Sequence, residues 1–335
     1  MSAALVVVVV LALVFDFSNG FHDSSNAIAA PVATGAMRPG QAVSVSATFN
    51  LLGPLVAGTA VADTVGGIVT LGPAPTMTVL TCALTAALTW NMLTWWRRLP
   101  SSSSHALVGG LVGAGVATAG AHAINWGGLH GLRPVGVIGI LAGLAISPLL
   151  GAFVGWLAEL GARRGLRRAR RRLERPILRG EWVTAAALAF ANGSNDAQKT
   201  MGVIATALVA SGTVGSFTVP LWVKIACAAA LTVGSAVGGW RIVRTIGRGI
   251  FRIRPLDGLV SQGSSAGVIG VAAFLGAPVS TTHVVASSVV GVGAARRRRH
   301  VRWPVVREIL LAWIVTMPAC AGMAGIVAGA WRIAS

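Results

Sequence analysis

The chain is 335 residues long, 54% hydrophobic and 11% charged, with a formal net charge of +18 from 27 basic against 9 acidic residues. A mean hydropathy of +0.75 excludes a soluble domain, which carries about 25% charged residues, and leaves an all-α polytopic membrane protein. The charge points less to a polyanion than to a membrane: it is almost entirely arginine bunched between apolar segments. No aromatic-bearing soluble domain accompanies it, which argues against nucleic acid and for the lipid bilayer as the partner.

In chain order, apolar stretches that reach or approach the roughly 20 residues needed to span hydrocarbon run over 3–15, 41–71, 76–96, 106–121, 134–160, 183–210, 219–240, 259–275, 284–294 and 305–331. Several are too short to cross alone and are expected to be half-helices or hairpin arms. The first has the look of a secretory signal core, but no basic residue precedes it and no small-x-small site follows. It is expected to be the first half of a broken membrane helix, interrupted at Asn19-Gly20. Cys82, Cys227 and Cys320 lie singly in apolar stretches and read as small core residues.

Two polar strings occur twice. FSNGFHDSSNA at 17–27 is echoed by FANGSNDAQKT at 190–200, and PSSSSH at 100–105 by PVSTTH at 278–283. The chain is therefore one unit of roughly 150 residues written twice, the pointer to a transporter with its site at the repeat interface. Arginine runs at 163–179, 241–254 and 296–302 belong on the cytoplasmic side. Counting segments outward from 163–179 puts both termini outside and makes the repeats inverted: a first repeat over 1–162, a basic cytoplasmic loop over 163–181 and a second repeat over 182–335. Glu159, Glu174 and Glu181 flank that loop and are expected to stay solvated.

Each string suggests chemistry. Asp23 and Asp196 are ionisable groups at membrane depth, which marks them as functional candidates. The Pro-Ser and Pro-Val-Ser-Thr strings precede apolar runs and read as helix starts inside the membrane, where free N–H groups, the positive dipole end and clustered hydroxyls form an anion site. An intramembrane hydrolase built on Ser194 or on His22 with Asp23 lacks a third orienting partner, and the duplication has no part in it. An anion channel lined by helix starts fits less well, because buried carboxylates repel an anion that travels alone.

The strings NGFHDSSNA, NGSNDAQKTMG, TWNMLTWW followed by LPSSSSH, and GAPVSTTH resemble the signatures of the inorganic phosphate transporters of the PiT type, in the bacterial low-affinity branch. The resemblance runs over nearly the whole chain. It implies two inverted-topology repeats with broken helices and helical hairpins in the cytoplasmic membrane, and phosphate import coupled to a cation, either H+ or Na+. Residue by residue it implies Ser102, Ser103, Ser104, Ser280, Thr281 and Thr282 for phosphate and Asp23, Asn26, Asn195 and Asp196 for the coupling ion. No cofactor is implied. Co-transport of a divalent metal with phosphate stays open, and a homodimer is the usual expectation for a fold with a scaffold and a moving part. Two departures stand out: His22 precedes Asp23 where sodium-coupled members have asparagine, and Lys199 stands where the first repeat has Asn26. Both favour protons over sodium, with Lys199 either filling an ion site or compensating phosphate.

Overall fold

Hydrocarbon offers no hydrogen bonds to the main chain, so an apolar chain of this length folds into helices that satisfy their own backbone. The computed structural model describes residues 2–97, 99–130, 133–166, 173–237 and 250–334. In chain order the helices are α1 (Ala3–Thr34), α2 (Pro39–Val56), α3 (Ala60–Gly66), α4 (Pro73–Trp96), α5 (Ser103–Ala119), α6 (Gly136–Gly165), α7 (Glu174–Ala210), α8 (Leu221–Val237), α9 (Pro255–Phe274), α10 (Thr281–Arg297) and α11 (Trp303–Ala334). A two-stranded hairpin, Gly128–His130 with Arg133–Val135, precedes α6. Much of the basic run, 167–172, together with 241–249 and Arg98, lies outside the described residues.

Among the described residues, α1, α4, α6 and α11 are long and apolar enough to cross a membrane, and α2 with α3 is apolar enough only as a pair, bent by 76° in the manner of a broken span or a re-entrant loop. The bend at 57–59 is stabilised from outside: the side chain of Gln198 on α7 accepts from the Val61 N–H at 2.9 Å. By contrast, α4–α5 and α9–α10 are hairpins. At 17 residues each, α5 and α10 extend about 26 Å, short of a full crossing.

The first helices of the two repeats are antiparallel. Thr200 of α7 reaches Asp16 of α1 at 2.9 Å, while Thr34 at the other end of α1 reaches Glu181 near the start of α7 at 2.8 Å. The repeats are thus inverted, and they exchange partners: α1 packs on α8 and α7 on α2, while α5 packs on α11 and α10 on α6. The charged residues at 163, 257 and 296 meet at one end, where Asp257 bonds Arg163 at 3.0 Å and Arg296 at 2.8 Å.

Two expectations are corrected. Neither Asn19-Gly20 nor Asn192-Gly193 breaks its helix; α1 and α7 continue through them, and the sharp bend lies between α2 and α3 instead. The glycines serve close approach. A Cβ on Gly20 would strike the Leu231 carbonyl of α8, and one on Gly193 the Asn50 carbonyl of α2, the same contact made twice by the pseudo-symmetry. Small residues that let backbones meet are how membrane helices associate. Because main chain cannot yield, Gly193→Val is expected to lower stability by about 3 kcal/mol or more, seen as loss of the monodisperse peak on heating in detergent. The second correction concerns Glu159 and Glu181, which are fully buried rather than solvated. Glu159 bonds Arg163 at 2.5 Å and Glu181 accepts from Thr34, so each found a partner within the bundle.

Candidate functional site

The site is where the middles of α1 and α7 meet the starts of α5 and α10. Ser102 and Ser280 act as N-caps, accepting from the His105 N–H at 3.2 Å and the His283 N–H at 3.3 Å. That role fixes where each short helix begins and aims its free N–H groups inward. The two caps face each other: the rings of His105 and His283 lie 4.7 Å apart, and His283 stacks on Trp313 at 3.7 Å. Trp313 in turn donates to the Pro100 carbonyl at 3.1 Å, which ties α11 to the first hairpin.

The hydroxyls beyond the caps contact the carboxylates. Thr282 donates to Asp23 Oδ1 at 2.6 Å, and Asn26 donates to the Thr282 hydroxyl at 3.4 Å. On the other side Thr281 donates to Asp196 Oδ2 at 3.1 Å, and Asn195 donates to the Ala277 carbonyl at 3.2 Å. Ser103 is buried beside them. All twelve residues picked out by the sequence are within 5% of full burial, and the structure gathers them around one locus from both repeats.

The two carboxylates differ sharply in what surrounds them. The Lys199 ammonium donates to Asp196 Oδ1 at 2.6 Å, to the Ser104 hydroxyl at 2.5 Å and to the Val279 carbonyl at 3.0 Å. All three of its protons are used, in a cage of carboxylate, hydroxyl and carbonyl oxygens. Asp23 has no such cation. His22 Nδ1 lies 3.4 Å from its Oδ1, and Asp23 Oδ2, Asn26 Oδ1 and Asn195 Oδ1 have no partner among the described residues.

A family model described as the phosphate transporter family matches the chain twice, over residues 19–175 and 162–324. The chain belongs to the phosphate transporter family. It is 43% identical over 321 residues to a Rhizobium meliloti protein, covering 95% of this chain and 93% of the other. To a Bacillus subtilis protein it is 37% identical over 327 residues, covering 96% and 95%. To one from Mycobacterium tuberculosis H37Rv it is 42% identical over 323 residues, covering 96% and 76%. Each of these is named "Probable low-affinity inorganic phosphate transporter". A solved structure titled "The sodium-dependent phosphate transporter" superposes with a TM-score of 0.86, covering 99% of this chain and 100% of that one at 22% identity, which establishes the shared fold.

Membership of the phosphate transporter family makes this chain a transporter and not an enzyme, and its apolar spans make it a multi-pass membrane protein. Sequence reasoning gave no site role to several polar residues that the transporter buries around the site. Asn91 of α4 donates to Ser18 at 3.0 Å and to Asn19 Oδ1 at 2.9 Å, bracing α1 beside Asp23. Gln198 anchors the α2–α3 bend. Asp16, paired with Thr200, was passed over although a signal existed: it stands seven residues before Asp23, two helical turns away on the same face.

Proposed function

We propose that this transporter imports inorganic phosphate across the cytoplasmic membrane by symport with a cation, and that the cation is a proton. The observation that carries the reading is the contrast between Asp196, held by a tethered ammonium, and Asp23, which has none. A lysine in an oxygen cage takes the place a mobile cation would fill, leaving Asp23 as the group that must be neutralised from solution. His22 stands beside it, Nδ1 at 3.4 Å from Asp23 Oδ1, and adds a second side chain able to carry a proton. The convergence of arginines at one end supports the basic loop as cytoplasmic and both termini as external.

The geometry suggests the order of events. Thr282 donates its hydroxyl proton to Asp23 while the carboxylate is charged. Once Asp23 is neutralised that hydroxyl is freed to turn toward phosphate, together with Ser103 and the N–H groups at the starts of α5 and α10. Phosphate arriving first would meet an uncompensated carboxylate in a low-dielectric site, so the cation loads first. Movement of one bundle against the rest then exposes the loaded site to the other side.

Labelled phosphate uptake into proteoliposomes, with proton and sodium gradients imposed separately, tests this. Uptake is expected with an inward proton gradient alone. A strict sodium requirement would discard the proton reading and keep phosphate symport. Adding a chelator to the same assay separates free phosphate from a neutral divalent-metal complex: uptake that survives chelation is uptake of the free ion.

A further inference from the structure

Asp16 is 0% exposed and takes no part in the scheme above. It sits on α1 about 10 Å along the axis from Asp23. Its Oδ1 accepts from Thr200 of α7 at 2.9 Å, and its Oδ2 has no partner among the described residues. The titratable groups that bear on it are Asp196 and Lys199 on α7 and Cys227 on α8. Lys199 acts on it only through space, because its three protons are used at Asp196, Ser104 and Val279, and the neutral Cys227 thiol shares a side-chain hydrogen bond with it.

A carboxylate buried this deeply does not persist without a cation. Sodium is a poor candidate, since the side chains presented here are one hydroxyl and one thiol, and a hard cation requires several oxygens. That leaves a proton on the carboxyl. A buried acid that serves only structure has its polar atoms partnered, whereas Oδ2 makes no hydrogen bond among the described residues. The position is also peculiar to one repeat: the residues matching Asp16 and Thr200 are Ala189 and Ala27. The frame shared by both repeats therefore does not require the pair. Along the middles of α1 and α7, away from the arginine-paired carboxylates at one end, three buried carboxylates, Asp16, Asp23 and Asp196, stand against the single ammonium of Lys199, so two cations are missing.

We infer that Asp16 is a second proton-loading site of the transport cycle, so that two protons accompany each phosphate. Oδ2 takes a proton from water on one side of the membrane and returns it to water on the other, leaving the protein unchanged after a full cycle. The inference rests on the proton-coupled reading proposed above.

The test is Asp16→Asn in proteoliposomes with inorganic phosphate. Exchange of labelled for unlabelled phosphate without a gradient is expected to continue, which certifies the fold. Steady-state accumulation under a gradient of one pH unit is expected to fall about tenfold, the factor that one proton per phosphate contributes. An accumulation ratio equal to that of the unmodified protein would make Asp16 a structural acid and overturn the inference. If Asp16→Asn loses exchange, Asp16→Glu decides: restoration of exchange with the full ratio supports the second site, and exchange with a reduced ratio overturns it. Failure of the unmodified protein to accumulate phosphate under a proton gradient would sink both readings, whereas equal ratios in the two proteins sink only the role of Asp16.

Discussion

Asp23→Asn is expected to abolish gradient-driven phosphate uptake, by more than about a hundredfold, or at least some 2.7 kcal/mol of coupling, while the protein stays inserted and binds phosphate. The amide resembles a permanently neutral carboxyl: it still meets Thr282 at Oδ1, now 2.6 Å away, but it can neither take up nor give back a cation. The proton gradient then has nothing to act on at this position. Uptake in proteoliposomes beside a phosphate-binding titration separates the two effects. Driven uptake within a few-fold of the unmodified rate would remove Asp23 from coupling and shift attention to His22.

The second large effect concerns Lys199. Lys199→Met leaves Asp196 buried without its counter-ion, a loss of about 3–5 kcal/mol, and is expected to yield a protein that aggregates on extraction. Lys199→Asn is the more informative change, because asparagine is what the first repeat carries at Asn26. It opens the cage formed by Asp196, Ser104 and the Val279 carbonyl to a mobile cation. Phosphate uptake by this variant is expected to acquire a dependence on external sodium. A variant that transports without sodium would show that the tethered ammonium was not standing in for an ion.

Much of this arrangement was legible before any coordinate, and the reason is duplication. A string repeated in a matching place identifies itself as functional, so Asp23 with Asp196 and Ser102–Ser104 with Ser280–Thr282 could be paired from spacing alone. The inversion followed from arginine placement, and the antiparallel contacts of α1 with α7 agree with it. What escaped were features that only packing creates. Asn-Gly in mid-segment reads as a helix break, yet hydrocarbon penalises free backbone groups so heavily that α1 and α7 stay intact and turn the glycine to close contact. Glu159 and Glu181 sit beside a basic loop and read as solvated, but arginine and threonine partners inside the bundle made burial tolerable. Asp16 lacks a copy in the second repeat, so the comparison that revealed its neighbours passed over it.

The antiparallel pairing of α1 with α7 also bears on how the protein is made. Asp16 and Thr200 are 184 residues apart in the chain, and at ribosomal speeds of about 5–20 residues per second the first must wait on the order of ten to forty seconds for the second. During that interval α1 is already in the membrane with two acidic side chains and no ammonium to answer them. The nascent first half is therefore a marginal guest of the bilayer, dependent on the insertion machinery or on protonation to stay put. Truncated chains ending before α7 are expected to be cleared by membrane proteases, and the exchange of partners between the repeats makes the completion of translation, not the insertion of each helix, the step that commits the fold.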